Sequence, residues 1–367
     1  MASKKYATQH PKFTKNFKSL WIYTRPMRVD EISKWRKYGK NPILDLGSLG
    51  EWDDTNVHEP CVYKEKKAYF MLYYGRHGEI QQKEGAIGLA TSPDGINWQK
   101  HRNNPVLKPS GEFDRNGVLS PIVIKENGYY YLFFTMIDSS GEWSVGLACS
   151  KDLINYTKMN GGRPVLKSSA SGWDSKNILH PYVFKEGNLY YMFYTGVDAS
   201  EDPFHWRIGL AVSTDKIKWK KTGKPVLDIG KKGEWDCAHA GEPCVIKIKN
   251  QYVMFYEGSD GNSRIGYAVS TNLKDWSKSK KPVLDLSETP KIVRHARWKF
   301  RSLFPTNLGS RIRPLGSWDD THTSAAHILV DISNGLIPLL REGEMTMYYS
   351  GEDPAARIGC AYCKLGE

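Results

Sequence analysis

Gly50-Glu51-Trp52-Asp53, followed by Val57-His58-Glu59-Pro60-Cys61-Val62-Tyr63, returns in altered form four times along the chain. The copies are Glu112-Phe113-Asp114 before Leu119-Ser120-Pro121, and Gly172-Trp173-Asp174 before Leu179-His180-Pro181. Next come Glu234-Trp235-Asp236 before Gly241-Glu242-Pro243, and Ser317-Trp318-Asp319 before Ala325-Ala326-His327. Successive Asp residues are 61, 60, 62 and 83 positions apart. A period of this kind means that one structural unit is copied.

Each unit opens on a Pro and two apolar residues, as in Pro42-Ile43-Leu44 and Pro225-Val226-Leu227. After the Trp-Asp loop come an apolar run, a polar turn such as Glu126-Asn127-Gly128, and an alternating aromatic run such as Tyr129 to Thr135. An Ile-Gly or Val-Gly pair and an outer aromatic (Trp98, Tyr156, Trp219 or Trp276) complete the unit. Short runs of Val, Ile, Tyr and Phe bounded by Gly, Asn, Asp and Pro are strands joined by turns. Four strands per unit and five units predict an all-β, five-bladed β-propeller. Trp35 precedes the first unit and the fifth lacks an outer aromatic, so Ile32 to Tyr38 is expected to complete the last blade and cover its edge.

The expected division is a basic extension over residues 1–30 and a propeller over 31–367, with an Arg-rich insertion at about 286–316. Extension and insertion each carry seven Lys or Arg against one acid, which accounts for the net charge of +12. The remaining ring is balanced, which argues against a nucleic-acid platform. No apolar run reaches membrane-spanning length, and the N-terminus lacks the apolar centre of a secretion signal. With six cysteines in 367 residues, four of them in expected strands, buried free thiols in the cytoplasm are the expectation. No cofactor is called for; a metal ion or water cluster in the central channel stays open.

The side chains that open the inner strands should converge on the axis: Glu59, Ser120, His180, Glu242 and His327. Two carboxyl groups facing each other across the hollow, with room for a saccharide between them, suit glycosidic bond cleavage. Asp53, Asp114, Asp174, Asp236 and Asp319 recur in every unit and read as structural. His58 and His239 are expected beside the axial set. Arg76, Trp206 and Glu257 are expected in rim loops, with Trp206 as a stacking platform. Arg294, in the insertion, would face an anionic group over the funnel.

At these residues the chain resembles the clan of five-bladed propeller glycoside hydrolases that includes families 43, 32, 62, 68, 117 and 130. The carriers are Ser92-Pro93-Asp94-Gly95-Ile96-Asn97-Trp98, its echo Ser270 to Trp276, and the Glu59-Pro60 and Glu242-Pro243 pairs. The resemblance implies Glu242 as general acid and Glu59 as base or nucleophile. It also implies a third acid on the second inner strand, where this chain has Ser120; Asp54, Asp138 and Asp198 are candidates to replace it. The substrate expected is a small, sometimes anionic, oligosaccharide or glycoside. Two alternatives accompany that reading: phosphorolysis, as in family 130, and a non-catalytic sugar-binding propeller. A WD40 propeller is disfavoured, because its repeats run at about 40–45 residues.

Overall fold

The computed structural model describes Ile32 and residues 34–78, 85–199, 205–248, 250–286, 319, 322–331, 344–352 and 355–364. The N-terminal extension, Arg294 and nearly all of the Arg-rich insertion lie outside the described residues.

The chain is all-β, with only short 3-10 turns among the described residues. Unit one is an antiparallel meander of Asn56–Glu65, Ala68–Arg76, Ala86–Ser92 and Gln99–Lys100. Unit two follows the same order with Gly117–Glu126, Tyr129–Ile137, Trp143–Ser150 and Thr157–Lys158. Asn177–Glu186, Leu189–Val197, Trp206–Ser213 and Lys220–Lys221 form unit three. Unit four is His239–Ile248, Gln251–Ser259, Ser263–Ser270 and Ser277–Lys278. Unit five has His322–Ile328, Glu344–Glu352 and Ala356–Lys364, and its outer strand is Arg36–Lys37 from the start of the chain. The first strands contact one another in order, and the fifth contacts the first.

Turn chemistry sets the meander. Asn127-Gly128, between the first two strands of unit two, has φ of 51° and 80°. Both residue types tolerate the left-handed conformation that a two-residue hairpin demands. The apolar faces of the units then pack into a core rich in fully buried Tyr, Phe, Met and Ile.

The recurring Asp residues are structural, as their periodicity suggests. Asp53 accepts the Tyr73 hydroxyl at 3.0 Å and pairs with Lys100 at 2.6 Å. Asp174 does the same with Tyr194 and Lys221, and Asp236 with Tyr256 and Lys278. In unit two Phe134 replaces the Tyr, and Asp114 keeps only its Lys158. Asp319 bonds Tyr349 at 2.9 Å and pairs at 2.7 Å with Lys37, a residue of the N-terminal strand. That strand is shorter than the Ile32 to Tyr38 expected, because only Arg36 and Lys37 pair with Ala361 and Tyr362.

In units one, three and four the Trp before the Asp covers a glycine. A Cβ on Gly75, Gly196 or Gly258 would come within 2.6, 2.3 or 2.2 Å of Trp52, Trp173 or Trp235. Unit two replaces both members, placing Phe113 where the others have Trp and Met136 where they have Gly. All six cysteines are free, and four are buried. Among the described residues no helix is long and apolar enough to cross a membrane.

Candidate active site

Every first strand carries the same irregularity. Its register shifts by one residue at His58/Cys61, Leu119/Ile122, Leu179/Tyr182, Gly241/Cys244 and Ser324/His327. A bulge of this kind re-aims one side chain per strand. The re-aimed residues are Glu59, Ser120, His180, Glu242 and Ala325, with φ between 49° and 53°. A left-handed conformation at a non-glycine residue costs on the order of 1–3 kcal/mol. In four units the next residue is Pro, which has no N–H to strand inside the bulge. The five bulges line one axial cavity of about 50 Å³.

This register corrects the expectation for unit five. Ala325 occupies the ring, and His327 stands level with Cys61, Ile122, Tyr182 and Cys244 in the layer beneath. There the His327 Nδ1 accepts the Val62 N–H at 3.3 Å, and burial pushes its pKa down to about 3. His327 is a neutral core acceptor.

The bulge N–H groups explain how the two glutamates are held. Glu59, His180 and Glu242 donate theirs to hydroxyls of the preceding unit: Ser350 at 2.9 Å, Thr135 at 3.0 Å and Thr195 at 3.0 Å. At the corresponding second-strand position, units one and four carry Tyr74 and Glu257. At the two following bulges the glutamates take over. Glu59 Oε2 accepts the Ser120 N–H at 2.6 Å, and Glu242 Oε2 accepts the Ala325 N–H. Their other oxygens each lie 3.4 Å from Nε2 of His180.

Ligand atoms of Glu59, His180 and Glu242 all lie within 4.8 Å of one another. No saccharide fits between carboxyl groups this close with an imidazole wedged between them. The room expected across the hollow is therefore absent, because the bulges draw both acids to the axis. Carboxylate and imidazole donors at this spacing could also hold a divalent cation, the single such group among the described residues. Two buried polar atoms beside them, His180 Nδ1 and Ser120 Oγ, have no partner.

The surroundings of the two acids push their pKa values apart. Burial opposes ionisation of Glu59, but His58, His180 and the Ser120 N–H outweigh it and hold its pKa below the usual 4.5. For Glu242, burial, Glu257 and the charge of Glu59 all act in one direction and push its pKa well above that value. Glu257 was expected in a rim loop, yet it lies within Gln251–Ser259, buried and opposite Gly241. Its carboxyl group accepts the Ser263 hydroxyl and hydrogen-bonds Glu242. Glu257 therefore stands beside Glu242 from the neighbouring strand of the same unit.

The remaining candidates are not bulge residues. Trp206 opens the strand Trp206–Ser213 and does not lie in a rim loop; its half-buried ring is tilted against His180 and His239, with centroids 5.6 Å and 4.9 Å away. His58 lies edge-on to Tyr74 at 4.7 Å, with Nδ1 3.9 Å from Glu59. Arg76 closes Ala68–Arg76 and is buried. Asp54 belongs to the Trp-Asp loop, where it bonds His77 at 2.8 Å, Thr55 and the Gly50 N–H. Those bonds outweigh its burial and keep it ionised below its usual range; none of them reaches the axial glutamates. Asp138 caps its own turn through Ser140 and Glu142.

Comparison with known proteins agrees with this fold. The model of the glycosyl hydrolases family 32 N-terminal domain matches residues 59–237 and 114–296. The chain belongs to that family, within the five-bladed β-propeller glycoside hydrolase clan. A 1,2-beta-oligomannan phosphorylase of Thermoanaerobacter sp. (strain X514) is 30% identical over 273 residues, 69% of this chain and 82% of the relative. Among solved structures, the beta-1,2-mannobiose phosphorylase of Listeria innocua superposes with a TM-score of 0.66 at 14% identity, covering 90% of this chain and 97% of that one. A thermostable family-43 glycoside hydrolase gives 0.58 at 19% identity, covering 88% and 90%. At such identities the structural likenesses speak for the fold alone.

Proposed function

We propose that residues 31–367 form a five-bladed propeller closed by the N-terminal strand, and that it cleaves a glycosidic bond at the mouth of the axial cavity. Glu242 donates its proton to the leaving oxygen, and Glu59 serves as base or nucleophile. One observation carries this reading: two carboxyl groups converge on one pocket, each with an oxygen 3.4 Å from the His180 Nε2, in surroundings that push the pKa of Glu59 down and that of Glu242 up, as acid/base cleavage requires. The sugar sits over the pair, since nothing larger than a water fits between them. A panel of oligosaccharides and aryl glycosides, 1,2-β-linked mannosides included, tests this with NMR detection of the first anomer released. If no glycoside is cleaved while sugars still bind, the chain is a binding propeller.

Phosphorolysis is the second reading. It is favoured by the oligomannan phosphorylase relative, and it needs only one protein acid, because phosphate is itself the nucleophile. Formation of a sugar 1-phosphate when phosphate is supplied separates the two.

A further inference from the structure

Units three and four meet along a groove of about 1160 Å³ beside their outer strands, and none of the axial bulge residues lines it. Its floor is apolar, made by half-buried Tyr191, Val212, Pro225 and Val226. Tyr191 is stacked on Phe184 at 5.4 Å. Lys220 and Lys224 of unit three and Lys274 of unit four line the groove and are exposed. Among the described residues no carboxylate lies within ion-pair distance of these three. The other charges of the groove are engaged: Lys221 pairs with Asp174, Glu186 with Lys247, and Asp275 accepts the Asn272 side-chain amide at 2.8 Å.

The repeat itself does not call for these lysines. Units one, two and four carry Gln99, Thr157 and Ser277 where unit three has Lys220. Units one to three carry Ile96, Ile154 and Ile217, all packed on apolar neighbours, where unit four has Lys274. The equivalent groove between units five and one keeps Ile96 at that place. Unit four has therefore given up an apolar contact to set a third positive charge around the hollow.

We propose that this groove holds a segment of an acidic polysaccharide, with its anionic groups on Lys220, Lys224 and Lys274 and the apolar face of a sugar ring on Tyr191. A concave, largely apolar floor with a few placed polar groups suits a ligand that has both an apolar face and charged edges, as an acidic sugar ring does. A nucleic-acid duplex would need a longer basic track than three lysines give. A bilayer would need apolar side chains that project from the surface, whereas these line a hollow. The site is separate from the axial glutamates, so its occupancy does not depend on glycosidic cleavage.

Calorimetric titration of the full-length protein at physiological salt, with short oligomers of galacturonate, of sulfated dextran and of neutral dextran, tests this. Wild type should bind an acidic oligomer with a Kd of about a millimolar or tighter, and neutral dextran about tenfold more weakly or not at all. The better acidic probe tells carboxylate from sulfate. Lys220→Glu, Lys224→Glu and Lys274→Glu combined should weaken binding about tenfold or more, the size that three exposed ion pairs sum to. Lys108→Glu, Lys151→Glu and Lys167→Glu combined make the same charge change on exposed lysines of unit two and should leave binding unaltered. Tyr191→Leu should weaken it about threefold or more, which a bare charge patch would not show. No binding by wild type, equal binding by the groove triple variant, or an equal loss in both triple variants overturns the proposal. Wild-type affinity in Tyr191→Leu also overturns it, as does a groove-dependent preference for a duplex oligonucleotide or phosphatidylserine vesicles over both acidic glycans. If the groove triple variant melts early, Lys220→Gln, Lys224→Gln and Lys274→Gln combined decide: wild-type affinity there, with a normal melt, overturns the proposal.

Discussion

Glu59 and Glu242 occupy equivalent bulges, yet their pKa values are pushed in opposite directions because their neighbours differ. Glu59 faces histidines, whereas Glu242 faces Glu257 and Glu59. Activity should need Glu59 ionised and Glu242 protonated, giving a bell-shaped pH profile. Glu257→Gln removes a negative neighbour, so the alkaline limb should move to lower pH while the acid limb stays. A steady-state pH series checks this, and an unmoved alkaline limb would assign that limb to another group. Glu242→Gln should cut kcat about a hundredfold or more with little loss of sugar affinity. Stability has its own sign. A carboxyl whose folded pKa is raised stays protonated after the unfolded chain has ionised, so its contribution is full below about 4.5 and is lost as pH climbs through the folded value. Glu242→Gln should therefore flatten the fall in Tm toward alkaline pH. Glu59 behaves oppositely, with its contribution present above 4.5 and lost as pH falls through its lowered pKa.

Within each unit, the Trp-Gly contact and the bulge clamp set how the strands stack. Gly258→Ala would press a methyl against the Trp235 ring at 2.2 Å, and overpacking of this kind typically costs about 1–3 kcal/mol. Unit two, with its smaller Phe113 beside Met136, suggests the remedy, so Trp235→Phe added to Gly258→Ala should recover part of the loss in denaturant unfolding. Thr195→Val strands the Glu242 N–H and should cost about 1–3 kcal/mol while displacing the acid. These contacts also decide what could be read from residues alone. The period, the Trp-Asp loop and the alternating aromatic runs mark the units because each reports local backbone geometry. Glu59 and Glu242 stood out as acids at positions where other units have Ser, His or Ala. Unit five misled because Ala326 replaces the Pro that fixes the bulge elsewhere, leaving the register free to be read two residues late, at His327. From sequence Glu257 reads as a rim-loop residue, since its proximity to Glu242 is a cross-strand relation set by the bulge and absent from local sequence. The closeness of the two glutamates was likewise illegible, being fixed by N–H groups of neighbouring units.

Across the molecule, outer aromatics report how the units meet. Trp98 of unit one packs edge-on against Tyr348 of unit five, Trp219 of unit three against Phe133 of unit two, and Trp276 of unit four against Phe193 of unit three. Trp35, from the start of the chain, meets Phe255 of unit four in the same manner at 5.7 Å, as an outer aromatic of unit five should. Lys37 likewise takes the place that Lys100, Lys158, Lys221 and Lys278 hold elsewhere, against an Asp319 side chain that is wholly buried. If the ring closes through this segment, Lys37→Met should leave a buried carboxylate short of its cation and cost on the order of 3 kcal/mol. Deleting residues 1–30 should leave unfolding cooperative and its midpoint nearly unchanged, whereas deleting 1–38 should lower the midpoint sharply, because unit five then exposes the edge of Ala356–Lys364. Paired thermal melts of the two truncations decide the matter. Equal midpoints would show that the N-terminal strand is an accessory and that the ring is held by its first strands alone.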